Sequence, residues 1–219
     1  MKNPYAYNVD KMYTYLRAYL KGAGLMESLR ALAYAREKHA NQVRKDGVPY
    51  ISHPLSMACY AAALGIRDDN TMCVIILHDV CEDCGIDFTE LPFNDCVQTG
   101  VKYVTITKCD TDRTKDEIKR RYYSELIYNR EACITKGIDK YVNLSDMVFT
   151  LSDDAIGKNA AETDVLLLPT LKKAKNKYCD ISDILYVIRQ NLKSVTGIYI
   201  KVYNEDYMRW KGIFEGSVA

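Results

Sequence analysis

Ile75-Ile76-Leu77-His78-Asp79-Val80-Cys81-Glu82-Asp83 is the stretch around which the chain is organised. Its apolar residues, with Val74 before them, predict a buried helix. Residues four apart share a helix face, so His78 stacks over Glu82 and Asp79 over Asp83. One imidazole and three carboxylates within six residues are costly to bury unpaired. A bound metal ion offsets that cost.

Working outward, Val9, Met12, Tyr13, Leu16 and Leu20 recur at helical spacing and predict a helix over 8–22, ended by Gly22-Ala23-Gly24. Met26–Gln42 is rich in good helix formers, and Lys45–Pro49 is a turn. Ser52 as N-cap and Pro54 in the first turn predict a helix over 52–64. Asp68-Asp69-Asn70 opens the organising helix, which runs to Asp83 and stops at Gly85. Thr89-Glu90-Leu91-Pro92 reads as another helix start, and Val101–Thr107 as a helix end and loop. A charged loop over 110–115 leads into four further helices: Lys115–Lys136, Ile138–Leu151, Thr163–Ala174 and Ile181–Val195. Val195–Tyr203 alternates apolar and polar residues and predicts a short strand. The expected class is all-α, a bundle of about eight to ten helices, in one domain over 1–219.

The 219 residues suffice for a substantial core. A net charge of +1 argues against a general nucleic-acid binder. No apolar run reaches the roughly 18 residues of a membrane span. Met1–Asn8 lacks the apolar core of a signal peptide, so the eight cysteines are expected to be reduced thiols of a cytoplasmic protein. Cys81 and Cys84 form a Cys-x-x-Cys pair, but no second pair completes a structural zinc site. Both are read as small buried hydrophobes.

There are three histidines, His39, His53 and His78. A mixed histidine and carboxylate set suits manganese, iron or zinc. The larger pattern is His39-Ala-Asn-Gln-Val-Arg44-Lys45-Asp-Gly47-Val-Pro-Tyr50-Ile-Ser-His53-Pro54, followed by Ile76-Leu-His78-Asp79-Val-Cys-Glu82-Asp83. It resembles the hydrolase domain of the RelA/SpoT stringent-response enzymes, and more closely their small stand-alone alarmone hydrolases, within the HD-domain metal phosphohydrolases. The likeness continues through Val104-Thr-Ile-Thr107-Lys108 and Asp139-Lys-Tyr-Val-Asn143-Leu-Ser-Asp-Met147-Val-Phe-Thr150-Leu151. It covers a motif-bearing core over 26–151, leaving a helical extension over 152–219.

The resemblance implies an all-α HD-domain fold with one manganese ion on His53, His78, Asp79 and the residue at 143. It implies that Glu82 and Asp83 position and activate the attacking water. Arg44 and Lys45 would hold a guanine nucleotide alarmone, with Thr150 assisting. The implied reaction removes the 3′-pyrophosphate of guanosine tetra- and pentaphosphate, giving GDP or GTP. The sequence departs from the family's Lys-Leu-Ala-Asp-Arg-x-x-Asn pattern. Asn143 stands where aspartate is the ligand, and Met147 where asparagine follows. Weaker metal binding is the expected result. Asp146 is an alternative ligand in a shifted register, against which the Thr150-Leu151 match argues. Two other functions remain open: hydrolysis of another phosphate ester, such as a nicotinamide dinucleotide phosphate or a 3′-phosphorylated nucleotide, and nucleotide binding without turnover. About seventy residues follow Thr150, too few for a further catalytic domain, so no synthetase activity is expected.

Overall fold

The computed structural model describes residues 8–44, 47–106 and 114–216. Lys45, Thr107 and most of the charged loop over 110–115 lie outside them. The chain divides into two compact units, residues 2–106 and 107–219. The motif-bearing stretch over 26–151 draws on both.

The first unit contains α1 (Val9–Gly22), α2 (Met26–Lys38), α3 (Ser52–Ala63), α4 (Asp69–Leu77), α5 (Val80–Cys84) and α6 (Asp95–Val104). The central helix is α4, packed against α2, α3 and α6. Every residue from Thr71 to Leu77 is buried. Each large aliphatic side chain there contributes about 1.5–3 kcal/mol relative to exposure. At Gly100 on α6, an added Cβ would stand 2.4 Å from Val74 Cγ2, so the α4–α6 contact depends on glycine.

Side-chain caps start α1, α4 and α6. Asn8 accepts from the Lys11 amide, Asp68 from the Thr71 amide and Asn94 from the Val97 amide. Helix α2 has no such cap of its own. Asp69, in the first turn of α4, supplies one from outside, accepting from the Glu27 amide at 3.1 Å and the Ser28 amide at 2.8 Å. The Ser28 hydroxyl donates to the same carboxylate. Asp69→Ala removes these acceptors at once and should cost about 2 kcal/mol, read as a lower urea midpoint with unchanged m.

Between α2 and α3 the chain doubles back. Val43 and Pro49 form a β-bridge, the Arg44 amide donates to the Val48 carbonyl at 2.8 Å, and the Tyr50 amide donates to the Gln42 carbonyl at 2.9 Å. Gly47 takes the left-handed conformation this turn needs, at φ 83°.

The second unit contains α7 (Lys115–Leu126), α8 (Arg130–Asp146), α9 (Asp153–Glu162), α10 (Leu168–Lys177), α11 (Ser182–Val202) and α12 (Asn204–Glu215). Helix α8 packs on α11, and α9 on α12. A Cβ at Gly157 would come within 2.9 Å of the backbone at Asp206 and Tyr207, so α9 and α12 meet at a glycine. A π-turn over Thr163–Leu167 joins α9 to α10. Pro169 follows it. Proline has no amide hydrogen, and its ring crowds the carbonyl four residues back. A wider turn relieves both.

Glu162 ends α9 as a buried carboxylate. It accepts from Lys140 Nζ at 3.0 Å, from the Tyr123 hydroxyl at 2.7 Å and from Lys119. Burial alone would raise its pKa, but the Lys140 and Lys119 ammonium groups outweigh that and hold it well below the usual carboxylate range.

The all-α class is observed, with corrections at particular elements. The organising helix is not continuous: it breaks at His78-Asp79, between α4 and α5. The expected helix over Lys115–Lys136 ends at Leu126, and Asn129 caps α8 by accepting from the Ala132 amide. Residues 153–162, assigned no element from sequence, form α9. The expected strand over Val195–Tyr203 lies within α11, except for Tyr203, its C-cap. Its period-two alternation is incidental; Leu185, Ile188, Leu192, Thr196 and Tyr199 are buried at helical spacing.

Candidate active site

His53 enters on the first turn of α3 and is buried. His78 follows the last residue of α4 and is also buried. The break after α4 gives Asp79 a ψ of −7°, off the helical value, before α5 begins. These three residues come together within the first unit. The two imidazole rings lie 5.2 Å apart between centroids, inclined by 62°. Asp79 Oδ2 stands 2.9 Å from His78 Nε2 and 3.8 Å from His53 Nε2.

The helix break itself orients His78. Its Nδ1 lies 2.9 Å from the Ile75 carbonyl. A carbonyl only accepts, so Nδ1 carries the hydrogen. In the neutral ring Nε2 then presents a lone pair toward the Asp79 carboxylate. Two electron-rich groups facing each other at that range call for a cation, and imidazole nitrogens with a carboxylate oxygen are the donors a borderline divalent metal takes. An imidazole with its far nitrogen tied to a backbone carbonyl is a usual arrangement for a metal ligand.

Tyr50 completes the immediate surroundings. Its hydroxyl donates to Asp79 Oδ2 at 2.5 Å. Burial, then the neighbouring Asp79 and Asp83 carboxylates, push the phenol far above its ordinary pKa, so it stays a donor. Glu82 and Asp83 lie on α5 and are exposed. The Asp83 amide donates to the Asp79 carbonyl at 2.9 Å, which preserves the expected one-turn relation across this part of the break.

Arg44 lies half-buried in the turn between α2 and α3. Thr150, in the second unit, follows a short 3-10 turn over Met147–Phe149 and is half-buried. Asn143, on α8, is exposed, and its side-chain amide donates to Asp139 Oδ1 at 2.6 Å. Asp139 itself is buried, with Lys136 Nζ 2.7 Å from its other oxygen. The sequence reading passed over this carboxylate. Its signal was present: Asp139 precedes Asn143 by four residues, the spacing of aspartate and asparagine in the pattern quoted above. Burial pushes the Cys81 thiol up to about 11, in keeping with a buried hydrophobe rather than a thiolate ligand.

Buried histidines and an aspartate at the junction of two helices define the class, a helical domain of the histidine–aspartate type. Comparison with known proteins agrees. The family model described as HD domain matches residues 31–105. The mouse guanosine-3′,5′-bis(diphosphate) 3′-pyrophosphohydrolase MESH1 is 32% identical over 133 residues, covering 58% of this chain and 72% of that one. The bifunctional (p)ppGpp synthase/hydrolase RelA of Mycobacterium tuberculosis is 30% identical over 144 residues, covering 64% of this chain and 19% of that one. The chain spans less than a fifth of the length of this and the other mycobacterial relatives, at 18–19%. A solved structure of a metazoan ortholog of SpoT shares the fold, with a TM-score of 0.59 and 23% identity over 80% of this chain and 94% of that one. The chain belongs to the HD-domain (p)ppGpp hydrolase family of RelA and SpoT. Among the described residues, no helix is long and apolar enough to cross a membrane.

Proposed function

We propose that this chain hydrolyses guanosine tetra- and pentaphosphate alarmones, releasing the 3′-pyrophosphate and leaving GDP or GTP. The observation that carries this reading is the convergence of His53, His78 and Asp79, with His78 held in the ligating tautomer by the Ile75 carbonyl. Family membership supports the choice of substrate, since MESH1 is named as a 3′-pyrophosphohydrolase of the tetraphosphate.

His53, His78 and Asp79 would hold one divalent ion, manganese in our proposal. We propose Asp139 as the further carboxylate, with Asn143 holding it in place by its amide. A four-residue shift of the family pattern puts aspartate at Asp139 and asparagine at Asn143, which removes both departures noted in the sequence. The same shift places Asp146, not Thr150, at the family's threonine position, so Thr150 is not carried forward. The case for a binding protein without turnover rested on a missing charge at Asn143, and Asp139 supplies that charge one turn earlier.

When bound, the ion polarises a phosphoryl oxygen and lowers the pKa of water. Glu82 and Asp83, exposed one turn beyond Asp79, orient the attacking water and take its proton. Water oxygen bonds to the phosphorus on the 3′-oxygen as that P–O bond breaks; the fragment departs as pyrophosphate, and the proton taken from water passes to the 3′-oxygen, which leaves as a hydroxyl. Arg44 and Lys45 offset the phosphate charge, and a guanidinium can also stack on a flat base.

The test is pyrophosphate release from the tetraphosphate with added manganese. Release is expected, with loss on chelation and recovery on adding the ion back. No release at any manganese concentration overturns the reading. Faster turnover of a nicotinamide dinucleotide phosphate or another 3′-phosphorylated nucleotide would move the substrate assignment.

A further inference from the structure

We infer that Tyr50, buttressed by His39 and Gln42, is a positioning residue for Asp79 and sets how tightly the site takes a divalent cation. The inference rests on the metal-hydrolase reading above. His39 and Gln42 belong to the sequence pattern, yet the proposed reaction leaves them without a task.

Their geometry supplies one. Tyr50 is fixed at three points. Its amide donates to the Gln42 carbonyl at 2.9 Å. Its ring lies 4.9 Å from the His39 ring, inclined by 34°. Its hydroxyl donates to Asp79 Oδ2 at 2.5 Å. His39 is itself locked: it is 1% exposed, and its Nδ1 lies 2.7 Å from Gln42 Oε1. Gln42 then uses its amide nitrogen to donate to the Asp83 carbonyl at 3.2 Å. One glutamine therefore ties the His39 ring to the backbone of α5, and that ring backs the tyrosine that holds Asp79.

A carboxylate on a short side chain turns freely unless something holds an oxygen. With Oδ2 bonded to Tyr50, the plane of the Asp79 carboxylate is set before any cation arrives. Groups that hydrogen-bond a ligating side chain in this way typically change metal affinity or activity by about 10–100-fold when removed.

The experiment compares the full chain with Tyr50→Phe, which keeps the ring over His39 and removes only the hydroxyl. Both are stripped with chelator and titrated with manganese in a calorimeter. Tyr50→Phe should bind manganese about 10–100-fold more weakly. Raised manganese should recover most of kcat, and KM for the tetraphosphate should stay within about twofold, since the residue acts on the ion rather than the nucleotide. Manganese affinity within twofold of the parent overturns the inference while leaving the hydrolase reading intact. A parent chain that binds no manganese overturns both. Should Tyr50→Phe not fold, His39→Leu tests the buttress: a smaller but clear loss of manganese affinity is expected, and unchanged affinity overturns it.

Discussion

Asp139→Ala should lower kcat/KM for pyrophosphate release by at least about 100-fold, and Asn143→Ala by about 10-fold. The ranking follows from the chemistry of α8. Asp139 brings a buried negative charge, whereas Asn143 contributes an amide that bonds to it at 2.6 Å. Losing the charge removes a proposed ligand. Losing the amide only loosens that ligand. Metal content after dialysis against manganese should fall in the same order. The reverse ranking, with Asn143→Ala the worse of the two, would restore Asn143 as the ligand. Asn143→Asp is also informative: it sets a second carboxylate against Asp139, and like charges that close repel, so no gain in activity is expected.

The second large effect is on stability. Glu162→Ala should destabilise the protein by about 3–5 kcal/mol, because it leaves the buried Lys140 ammonium without its carboxylate. For a chain of this size that is a fall of roughly 6–20 °C in Tm. The double substitution Glu162→Leu with Lys140→Met should recover most of the loss, since it removes both charges together. A small effect of Glu162→Ala would mean that water reaches the lysine. The sign with pH is fixed by the depressed carboxyl. Its contribution is complete above the unfolded-state value of about 4.3, and it is lost progressively as pH falls from there through the much lower folded value. The gap between Glu162→Gln and the parent should therefore persist at pH 5.

Much of this was legible in the chain. Helix α1 could be located from apolar spacing and its end signals, because its own side chains do the capping and packing; α3 was placed by its sequence, but its N-cap is Ile51, with no side-chain cap from the expected Ser52. His78 and Asp79 stood out because ionisable groups are rare in an apolar run, whereas His53 was picked out by the family resemblance. The break at His78-Asp79 was not legible: no proline or glycine marks it, and the contact of the His78 ring with the Ile75 carbonyl that goes with it is visible only in the structure. The boundary at Asn129 was hidden between stretches of good helix formers. The alternation over Val195–Tyr203 mimics a strand, and only the burial of Thr196 and Tyr199 in step with Leu185, Ile188 and Leu192 shows the helix. Asp139 is harder to pick out for another reason: the register proposed above differs from the one read in the sequence by four residues, and a helix nearly repeats its face at that interval.

The interruption between α4 and α5 carries a warning for anyone seeking a hardier version of this protein. Selection for heat resistance alone favours residues that let a helix run on unbroken, and positions 78 and 79 are the obvious places to gain from it. Such variants would survive warmer conditions with two groups of the proposed metal site turned away or replaced. Screens for robustness should therefore leave both positions fixed and look for their gains at sites such as the borrowed cap on α2.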